Sequence, residues 1–509
     1  MAALQRRLFL SGMSSSSALI PILSLSGHAP GKTDLSQMDG LAMAELVRKR
    51  KISPRELLEY SIERIESLNP QLNAIAHRFY DQARDTVKNE LVTGPFTGVP
   101  FLTKDLSFDI NSQPAEYGSR LFKGHVAAGD STVVTRLRKA GLVLVASTRV
   151  PEFGLLPTTE SVLGGITRNP WSLRHTAGGS SGGSASAVAA GMAPMAGASD
   201  GGGSIRIPAS CCGLFGFKPT RGRTPLGPNR FETWGGLGVV HAVTKSVRDS
   251  AALLDATAGP ETGDAYTTAR SKRSYLRELQ TTPPTLRIAL VSTMSPAPEP
   301  SPDCLKALTD ASQLLRSFGH HVEDATTKFN ALFAFAELRM AHGKMVLVEL
   351  RRQILRRLAD LTRELNEDDL EPVTRFYFDT AAMYTGVEIQ NARDAFHTSS
   401  RVMARFMQDY DVVLTPTLAK PPIEHQQITL TGWAKDVADG LVAFNPCTAL
   451  ANWTGQPAMS VPFSTSDDGL PIGIHFFGRL ANEALLFQLA SQIEKARPWS
   501  GDYPTTPRP

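Results

Sequence analysis

Two hydrophobic patterns alternate along this chain, and their alternation predicts an α/β fold. Short continuous apolar runs, typical of buried strands, include residues 142–146, 286–291 and 411–415. Longer segments carry apolar residues every three or four positions, the spacing of an amphipathic helix. Further helices are predicted over residues 132–140, 185–191, 246–258, 304–318 and 482–496, and further strands within residues 98–108 and around Val461 and Ile474.

The region from residue 39 to residue 90 predicts two or three helices before the first strand. Ser53-Pro54-Arg55-Glu56 has the form of a capping box, in which the serine caps the helix and proline takes its first position. We expect Asn69-Pro70 to end this helix, because the residue before a proline disfavours helical backbone angles.

One large domain with a sheet covered by helices is the architecture that this order of elements favours. Continuous apolar strands that alternate with helices indicate a mainly parallel central sheet, buried on both faces. Residues 327–408 are mostly helical and lack glycine-rich loops, so we expect them to cover the sheet and to shape the entrance to a site. The domain is expected to span residues 33–505.

Composition excludes several classes of protein. Of the 509 residues, 42% are hydrophobic and 20% are charged, which is typical of a globular chain with a substantial core. The net charge of +4 comes without a basic stripe, so no nucleic-acid partner is expected. The four cysteines lack the spacing of metal ligands and are too few for a disulfide scaffold. Neither a metal nor another cofactor is indicated.

The first 32 residues have the layout of an export signal. Arg6-Arg7 precedes a weakly hydrophobic, serine-diluted run to Leu25, and Gly27-His28-Ala29 offers a cleavage point. The arrangement resembles a twin-arginine signal, and its apolar part is too interrupted for stable insertion in a membrane. We expect a periplasmic or secreted protein, or a cytoplasmic one if this segment is a retained tail.

Two loops rich in glycine and serine, at residues 178–184 and 199–206, form the candidate site. Glycine lets a ligand approach the backbone closely, so we expect main-chain N–H groups to point inward at a ligand. Upstream, Lys104 lies within the apolar segment 98–108, although lysine is rarely buried without a reason. The alternative is a lysine at a strand end that pairs with Asp105 or with another carboxylate.

These residues permit hydrolysis by a serine nucleophile, which needs a base to take its proton. No histidine lies within the two loops, and His175, just before the first, is expected to be solvated or bonded to the loop. Because burial lowers the pKa of a lysine, Lys104 is a candidate base, with a second hydroxyl as a proton relay. The N–H groups of residues 201–204 form a candidate oxyanion hole, and Asp200 and Arg206 are expected to pair and hold its shape.

At these motifs the chain resembles the amidase signature enzymes. The resemblance runs from about residue 35 to residue 500, and it implies an α/β fold with a mixed, mainly parallel sheet covered by helices. It also implies hydrolysis of a small, non-peptide carboxamide by a monomer or homodimer without a cofactor. The matching text is Gly178-Gly179-Ser180-Ser181-Gly182-Gly183-Ser184, Ser199-Asp200-Gly201-Gly202-Gly203-Ser204-Ile205-Arg206, Gly98-Val99-Pro100, Lys104-Asp105, Asn169-Pro170-Trp171 and Thr454-Gly455-Gln456-Pro457-Ala458-Met459-Ser460-Val461-Pro462.

The resemblance assigns a role to individual residues. It implies that Ser204 is the nucleophile that forms an acyl-enzyme and that Lys104 is the general base. It implies that Ser180, joined to Gly179 by a cis peptide bond, is the bridging serine. The region near Gly154 is expected to line the acyl side of the pocket.

The identity of the substrate stays open, and so do three other interpretations of the motifs. Phe444-Asn445-Pro446 and Gly478-Arg479 are similar to members that act on small or cyclic amides, while aryl amides and carbamates are equally possible. The first loop also fits G-x-S-x-G, the nucleophile elbow of an α/β-hydrolase esterase that uses Ser180, although residues 173–176 before it are polar. Glycine loops can cradle phosphate, but the P-loop motif is absent. A transfer-RNA amidotransferase subunit shares the motifs but requires partner subunits and a cytosolic location.

Overall fold

An 11-stranded mixed sheet is the centre of the fold. The computed structural model describes residues 34–509 except for positions 265, 500, 502, 505 and 509. The export signal predicted for residues 1–32 therefore lies outside the described residues. Within the described part, Leu35–Pro509 forms one compact unit.

The strands and helices have the following bounds. The strands are β1 Ile75–Arg78, β2 Pro100–Lys104, β3 Val143–Thr148, β4 Glu160–Ser161, β5 Gly165–Ile166, β6 Arg168–Asn169, β7 Ser172–Thr176, β8 Met195–Asp200, β9 Phe215–Lys218, β10 Val239–Thr244, β11 Arg287–Leu290, β12 His321–Asp324, β13 Val412–Pro416, β14 Ala458–Thr465 and β15 Pro471–Gly478. The α-helices are α1 Gly40–Arg48, α2 Pro54–Leu72, α3 Tyr80–Asp85, α4 Thr132–Lys139, α5 Gly182–Ala189, α6 Arg206–Cys212, α7 Val247–Thr257, α8 Tyr275–Glu278, α9 Pro302–Ser317, α10 Thr326–Asn330, α11 Phe335–Leu361, α12 Pro372–Ala381, α13 Gly386–Asp409, α14 Ala434–Phe444, α15 Leu450–Trp453 and α16 Glu483–Ala496.

The sheet has the strand order β1-β3-β2-β8-β10-β9-β14-β15-β13-β11-β12. Parallel pairing is confined to two blocks, in which β2 pairs with β3 and β8, and β11 pairs with β12 and β13. The other neighbouring strands are antiparallel. The α/β class and the mixed sheet are confirmed, but the expected predominance of parallel pairs does not hold. Short connections are one reason, because a link such as residues 466–470 between β14 and β15 can only return the chain antiparallel.

Helices cover both faces of the sheet, as predicted. Side chains alternate between the two faces of a strand. Val412 and Leu414 of β13 pack in one core with α2, α6, α9 and α16, whereas Val413 packs on the opposite face with α11 and α13. Towards the other end of the sheet, Phe101 of β2 packs with α1 and α4.

Helix α2 shows one prediction confirmed and one wrong. The capping box is present at its start, with proline at the first helical position. The helix does not end at Asn69-Pro70 but continues to Leu72. The side-chain oxygen of Asn69 accepts hydrogen bonds from the N–H groups of Ala74 and Ile75, so the chain leaves the helix only after this extra turn.

The parallel strands β2 and β8 position the candidate site. They are neighbours, and β2 ends at Lys104 while β8 ends at Asp200. Because the strands run in the same direction, both ends lie at the same edge of the sheet, where ligands bind in many α/β proteins.

Among the helices described here, none is long and apolar enough to cross a membrane.

Candidate active site

Lys104 is buried at the carboxyl end of β2, with only 1% of its surface exposed. Its Nζ donates hydrogen bonds to Ser180 Oγ at 2.8 Å and to Ser199 Oγ at 2.9 Å. Burial lowers the pKa of Lys104 to about 7, although the negative charge of Asp200 opposes this shift. The alternative pairing with Asp105 is not observed: the partners of Lys104 Nζ are the two hydroxyls, and the Asp105 carboxyl accepts a hydrogen bond from the Glu116 N–H. Lys104 is therefore hydrogen-bonded to two hydroxyl groups and can lose a proton near neutral pH.

Ser180 lies in the loop before α5, and the peptide bond between Gly179 and Ser180 is cis, as the resemblance implied. A side chain at position 179 would collide with the backbone of Thr158, so only glycine fits there. On the other side, a Cβ added to Gly154 would lie 3.1 Å from Ser180 Oγ. Ser180 is therefore enclosed by close backbone contacts, with its hydroxyl turned towards Lys104.

Ser204 lies between β8 and α6, and 9% of its surface is exposed. It lines a cleft of about 30 Å³ together with Ser180, Ser199 and Gly201. It also lines a larger cavity of about 350 Å³ together with Gly154 and Gly202. The structure thus brings the three residues predicted for catalysis to one place, with Lys104 bonded to Ser180 and both serines facing the same cleft.

The loop at residues 201–204 is fixed by side chains that donate hydrogen bonds to its carbonyl groups. Thr448 Oγ1 donates to the Gly202 carbonyl at 2.6 Å, and Asn452 Nδ2 donates to the Asp200 carbonyl at 3.0 Å. The C=O and N–H groups of a trans peptide point in opposite directions. The N–H of Gly201 therefore points away from Asn452, and Gly201 itself lines the cleft.

Gly203 corrects the predicted oxyanion hole in one respect. Its N–H donates to Asp200 Oδ1 at 2.8 Å and is therefore not a free donor. Its backbone has a φ of 136°, and a side chain there would collide with Thr448, so glycine serves the shape of the loop. The remaining candidate donors are the N–H groups of Gly201, Gly202 and Ser204.

Asp200 and Arg206 form the predicted pair, and both side chains are fully buried. The guanidinium donates to the two carboxylate oxygens at 2.9 Å each. Burial opposes ionisation of Asp200, but the Arg206 guanidinium outweighs it and holds the pKa of this carboxyl well below its usual range. Arg206 also donates to the Thr448 carbonyl and to Asn452 Oδ1, so the pair ties the glycine loop to the segment around α15.

Most residues that surround this loop were not identified as functional residues from the sequence. Ser199 stood within the matched text, and its place at the start of the second loop was the signal that could have identified it, whereas its position beside Lys104 follows only from the pairing of β2 with β8. Asn445, which belongs to the segment Phe444-Asn445-Pro446 noted above, donates a hydrogen bond to the Gly202 carbonyl. The others lie far away in the chain, without a local motif: Thr448 and Asn452 bond to the loop, the Trp234 ring lies against Gly201, and His342 lies against Gly202.

The larger cavity is mostly apolar, and its volume lies in the range of small-molecule sites. Its walls come from α11, α12 and α14 and from the loop around Gly154. Arg339, His342, Tyr377 and Asn445 are its main polar side chains, and none of its lining residues is acidic. The part of the chain that the structure describes contains no group of three or more His, Cys, Asp or Glu residues that could hold a metal ion.

The esterase interpretation of Ser180 does not fit the topology. A nucleophile elbow follows a strand of the central sheet. The strand before Ser180 is β7, which pairs with β6 in a separate two-stranded sheet.

Known proteins resemble this chain over most of its length. The sequence model of the family described as Amidase matches residues 56–487. The 6-aminohexanoate-cyclic-dimer hydrolase of Paenarthrobacter ureafaciens is 36% identical over 483 residues, which cover 92% of this chain and 96% of that protein. A solved structure of 6-aminohexanoate cyclic dimer hydrolase matches with a TM-score of 0.87 at 34% identity and covers 93% of this chain and 99% of that one. A bacterial aryl acylamidase of the amidase signature family matches with a TM-score of 0.82 at 27% identity, again over 93% of this chain and 99% of the other.

These likenesses extend over the elements that carry the candidate site. The matched residues include β2, both glycine-serine loops and the helices that line the larger cavity. The interpretations as an α/β-hydrolase esterase and as an amidotransferase subunit are accordingly not favoured. The chain belongs to the amidase family and is a hydrolase of amide C–N bonds.

Proposed function

We propose that this protein hydrolyses its amide substrate through an acyl-enzyme on Ser204, with Ser180 as proton relay and Lys104 as general base. The observation that carries the proposal is the buried Lys104 nitrogen, 2.8 Å from the hydroxyl of Ser180, which shares a cleft with Ser204. A lysine with a pKa of about 7 is a base of suitable strength at neutral pH.

In the first half of the reaction, Ser204 Oγ attacks the amide carbon. Its proton passes to Ser180 Oγ while the proton of Ser180 passes to the neutral amine of Lys104. The carbonyl oxygen becomes an oxyanion, which accepts hydrogen bonds from the N–H groups of Gly201, Gly202 and Ser204. A single donor of this kind typically contributes about 10²–10³ in rate.

In the second half, the tetrahedral intermediate collapses and the C–N bond breaks. The proton held by Lys104 returns through Ser180 to the leaving nitrogen, which departs as an amine or as ammonia. Water then attacks the acyl-enzyme, with its proton taken by the same relay. The carboxylic acid is released, and Ser204 regains its proton. The residues of this chain supply every proton transfer in this scheme.

We propose small aliphatic or cyclic amides as the substrate class. Two relatives, from Paenarthrobacter ureafaciens and from Pseudomonas sp. (strain NK87), are named for hydrolysis of a cyclic dimer of 6-aminohexanoate. The mostly apolar cavity beside Ser204 suits the methylene groups of such compounds. Aryl amides are the second candidate, because one similar structure is an aryl acylamidase.

The cellular setting is a further part of the proposal. We propose residues 1–32 as a twin-arginine export signal and residues 33–505 as the amidase domain, which acts in the periplasm as a monomer or homodimer.

Within the amidase domain, we propose that residues 327–408 form the substrate entrance. The helices α11 and α12 of this region supply six residues of the cavity wall, which supports the assignment: Arg339, His342, Gly343, Val346, Leu347 and Tyr377.

The test is turnover of a neutral aliphatic anilide by serine variants, with the acid and amine products identified by mass spectrometry. We expect Ser204→Ala to lower kcat by about 10⁴-fold or more, and Ser180→Ala to lower it strongly. The matched control is Ser186→Ala, a buried serine of α5 whose hydroxyl donates to the Arg168 carbonyl outside the cleft. A Ser204→Ala enzyme as active as this control would contradict the proposal.

A further inference from the structure

His342 of α11 is held in one protonation state by its neighbour. Its Nδ1 lies 3.0 Å from Trp453 Nε1. An indole N–H can only donate, so Nδ1 must accept and the ring proton must sit on Nε2. Partial removal from water lowers the pKa of His342 below its usual value, so the ring is neutral at physiological pH. His342 is therefore a fixed, neutral donor through its Nε2–H group.

This donor lies beside the glycine loop of the candidate active site. A Cβ built on Gly202 would lie 3.0 Å from His342 Cε1 and 3.7 Å from Nε2. His342 is half-buried, and it lines the larger cavity together with Gly202 and Ser204. A substrate group that extends from the glycine loop into this cavity would therefore lie close to the imidazole of His342.

The rest of the wall also favours a hydrogen-bond acceptor. Arg339 lies three residues before His342, on the same face of α11, and lines the same cavity. Its Nη2 is buried without a hydrogen-bond partner among the described residues. No acidic side chain lines the cavity. The wall thus combines the neutral Nε2–H donor of His342 with a cation that has no acidic partner among the residues lining the cavity, although the centre of the Phe335 ring lies 5.8 Å from the Arg339 guanidinium carbon.

We propose that His342 is a substrate-binding residue that recognises a second oxygen acceptor of the substrate, a carbonyl or a carboxylate separate from the scissile amide. Arg339 supports the same recognition as a positive charge one helical turn away. The inference rests on the proposed function, because it assumes that the amide carbon reaches Ser204. It adds that preferred substrates are bifunctional amides rather than simple alkyl amides.

The experiment compares anilides whose acyl chains have equal length and end in a methyl group, a carboxamide or a carboxylate, over several chain lengths. A second series carries the same groups on the amine half. We expect the wild type to prefer an acceptor-bearing substrate to the methyl compound by about tenfold in kcat/KM, the value of one good hydrogen bond. Whether the carboxamide or the carboxylate ranks first identifies the natural acceptor.

Two variants of His342 separate recognition from structure. His342→Phe keeps a flat ring without a donor, and we expect it to abolish the preference while it still turns over the methyl compound. His342→Gln keeps an N–H group near the position of Nε2 and should restore most of the preference. Arg339→Met should lower the carboxylate preference more than the carboxamide preference.

Three results would overturn the inference. They are equal kcat/KM values for all wild-type substrates in both series, a preference that survives in His342→Phe, and an equal loss for every substrate in that variant. Dissociation constants of the same compounds for Ser204→Ala measure the preference for an acceptor-bearing compound over the methyl compound without turnover. If Ser204→Ala binds the acceptor-bearing compounds more tightly but the wild type hydrolyses none of the compounds, the inference about recognition holds and the proposed function is rejected.

Discussion

At the scale of single residues, the proposed chemistry depends on the burial of one amine. Lys104 has an ordinary pKa of 10.5 in water, and removal from water lowers it to about 7. A charged partner in contact would have kept the lysine protonated, whereas its two hydrogen-bond partners are the hydroxyls of Ser180 and Ser199. Asp200, the charge that raises the pKa, is itself held by Arg206. Lys104 is therefore a neutral base near pH 7, and the Asp200 carboxylate forms its ion pair with Arg206 instead.

The pH dependence of the rate follows from this pKa. As pH rises through about 7, Lys104 loses its proton in the free enzyme and becomes able to accept one. We expect kcat/KM to rise about tenfold per pH unit below pH 7 and to level off above about pH 8. Steady-state kinetics from pH 5 to pH 10 on a neutral amide measure this. A rate that is already constant at pH 5 would remove Lys104 from the role of base.

Lys104→Met provides the matched variant for this profile. Its side chain has similar length and no titratable group, so any remaining rate should lose the rise near pH 7. If the variant kept the same midpoint as the wild type, another group would be responsible for the titration.

At the scale of elements, the site depends on a glycine loop anchored by distant segments. The Asp200–Arg206 pair connects the end of β8 to the start of α6 and to the chain around α15. Both charges are fully buried, and a buried charge that loses its counter-ion strongly destabilises the fold.

Breaking this pair should destabilise the whole domain. Arg206→Met leaves the Asp200 carboxylate buried without its cation, and we expect the free energy of unfolding to fall by about 3–5 kcal/mol. Urea unfolding followed by circular dichroism measures this. The exposed pair Arg375–Asp379 is the control, where Arg375→Met should cost about 0.5 kcal/mol or less. Equal effects of the two variants would show that the buried pair does not anchor the loop.

Local signals predicted the elements better than their arrangement. The helix predicted over residues 304–318 is α9 Pro302–Ser317, and the strand predicted over residues 411–415 is β13 Val412–Pro416. Such bounds follow from periodicity and caps near in sequence. The majority of antiparallel pairs was missed because pairing depends on which strands meet across the sheet. The extension of α2 to Leu72 was missed because the helix ends at Asn73, which has a left-handed backbone, and because the Asn69 side chain bonds to the chain that follows.

At the scale of the whole molecule, the sheet brings together residues that lie far apart in the chain. Lys104 and Ser180 were predictable as a pair because the apolar segment around Lys104 and the glycine-serine loop around Ser180 both match motifs of one family. His342 and Thr448 were not, because each stands in an ordinary helical or loop sequence and reaches the site only through tertiary packing. The sequence therefore indicated the reaction, while the walls that select the substrate required the structure.

The central claim is that Ser204, rather than Ser180, carries the acyl group. Its most direct test is covalent labelling of the wild type with a fluorophosphonate, followed by peptide mapping with mass spectrometry. The adduct should lie on Ser204, should be absent in Ser204→Ala, and should form more slowly in Lys104→Met. An adduct on Ser180, or labelling of Ser204→Ala at the wild-type rate, would contradict the account.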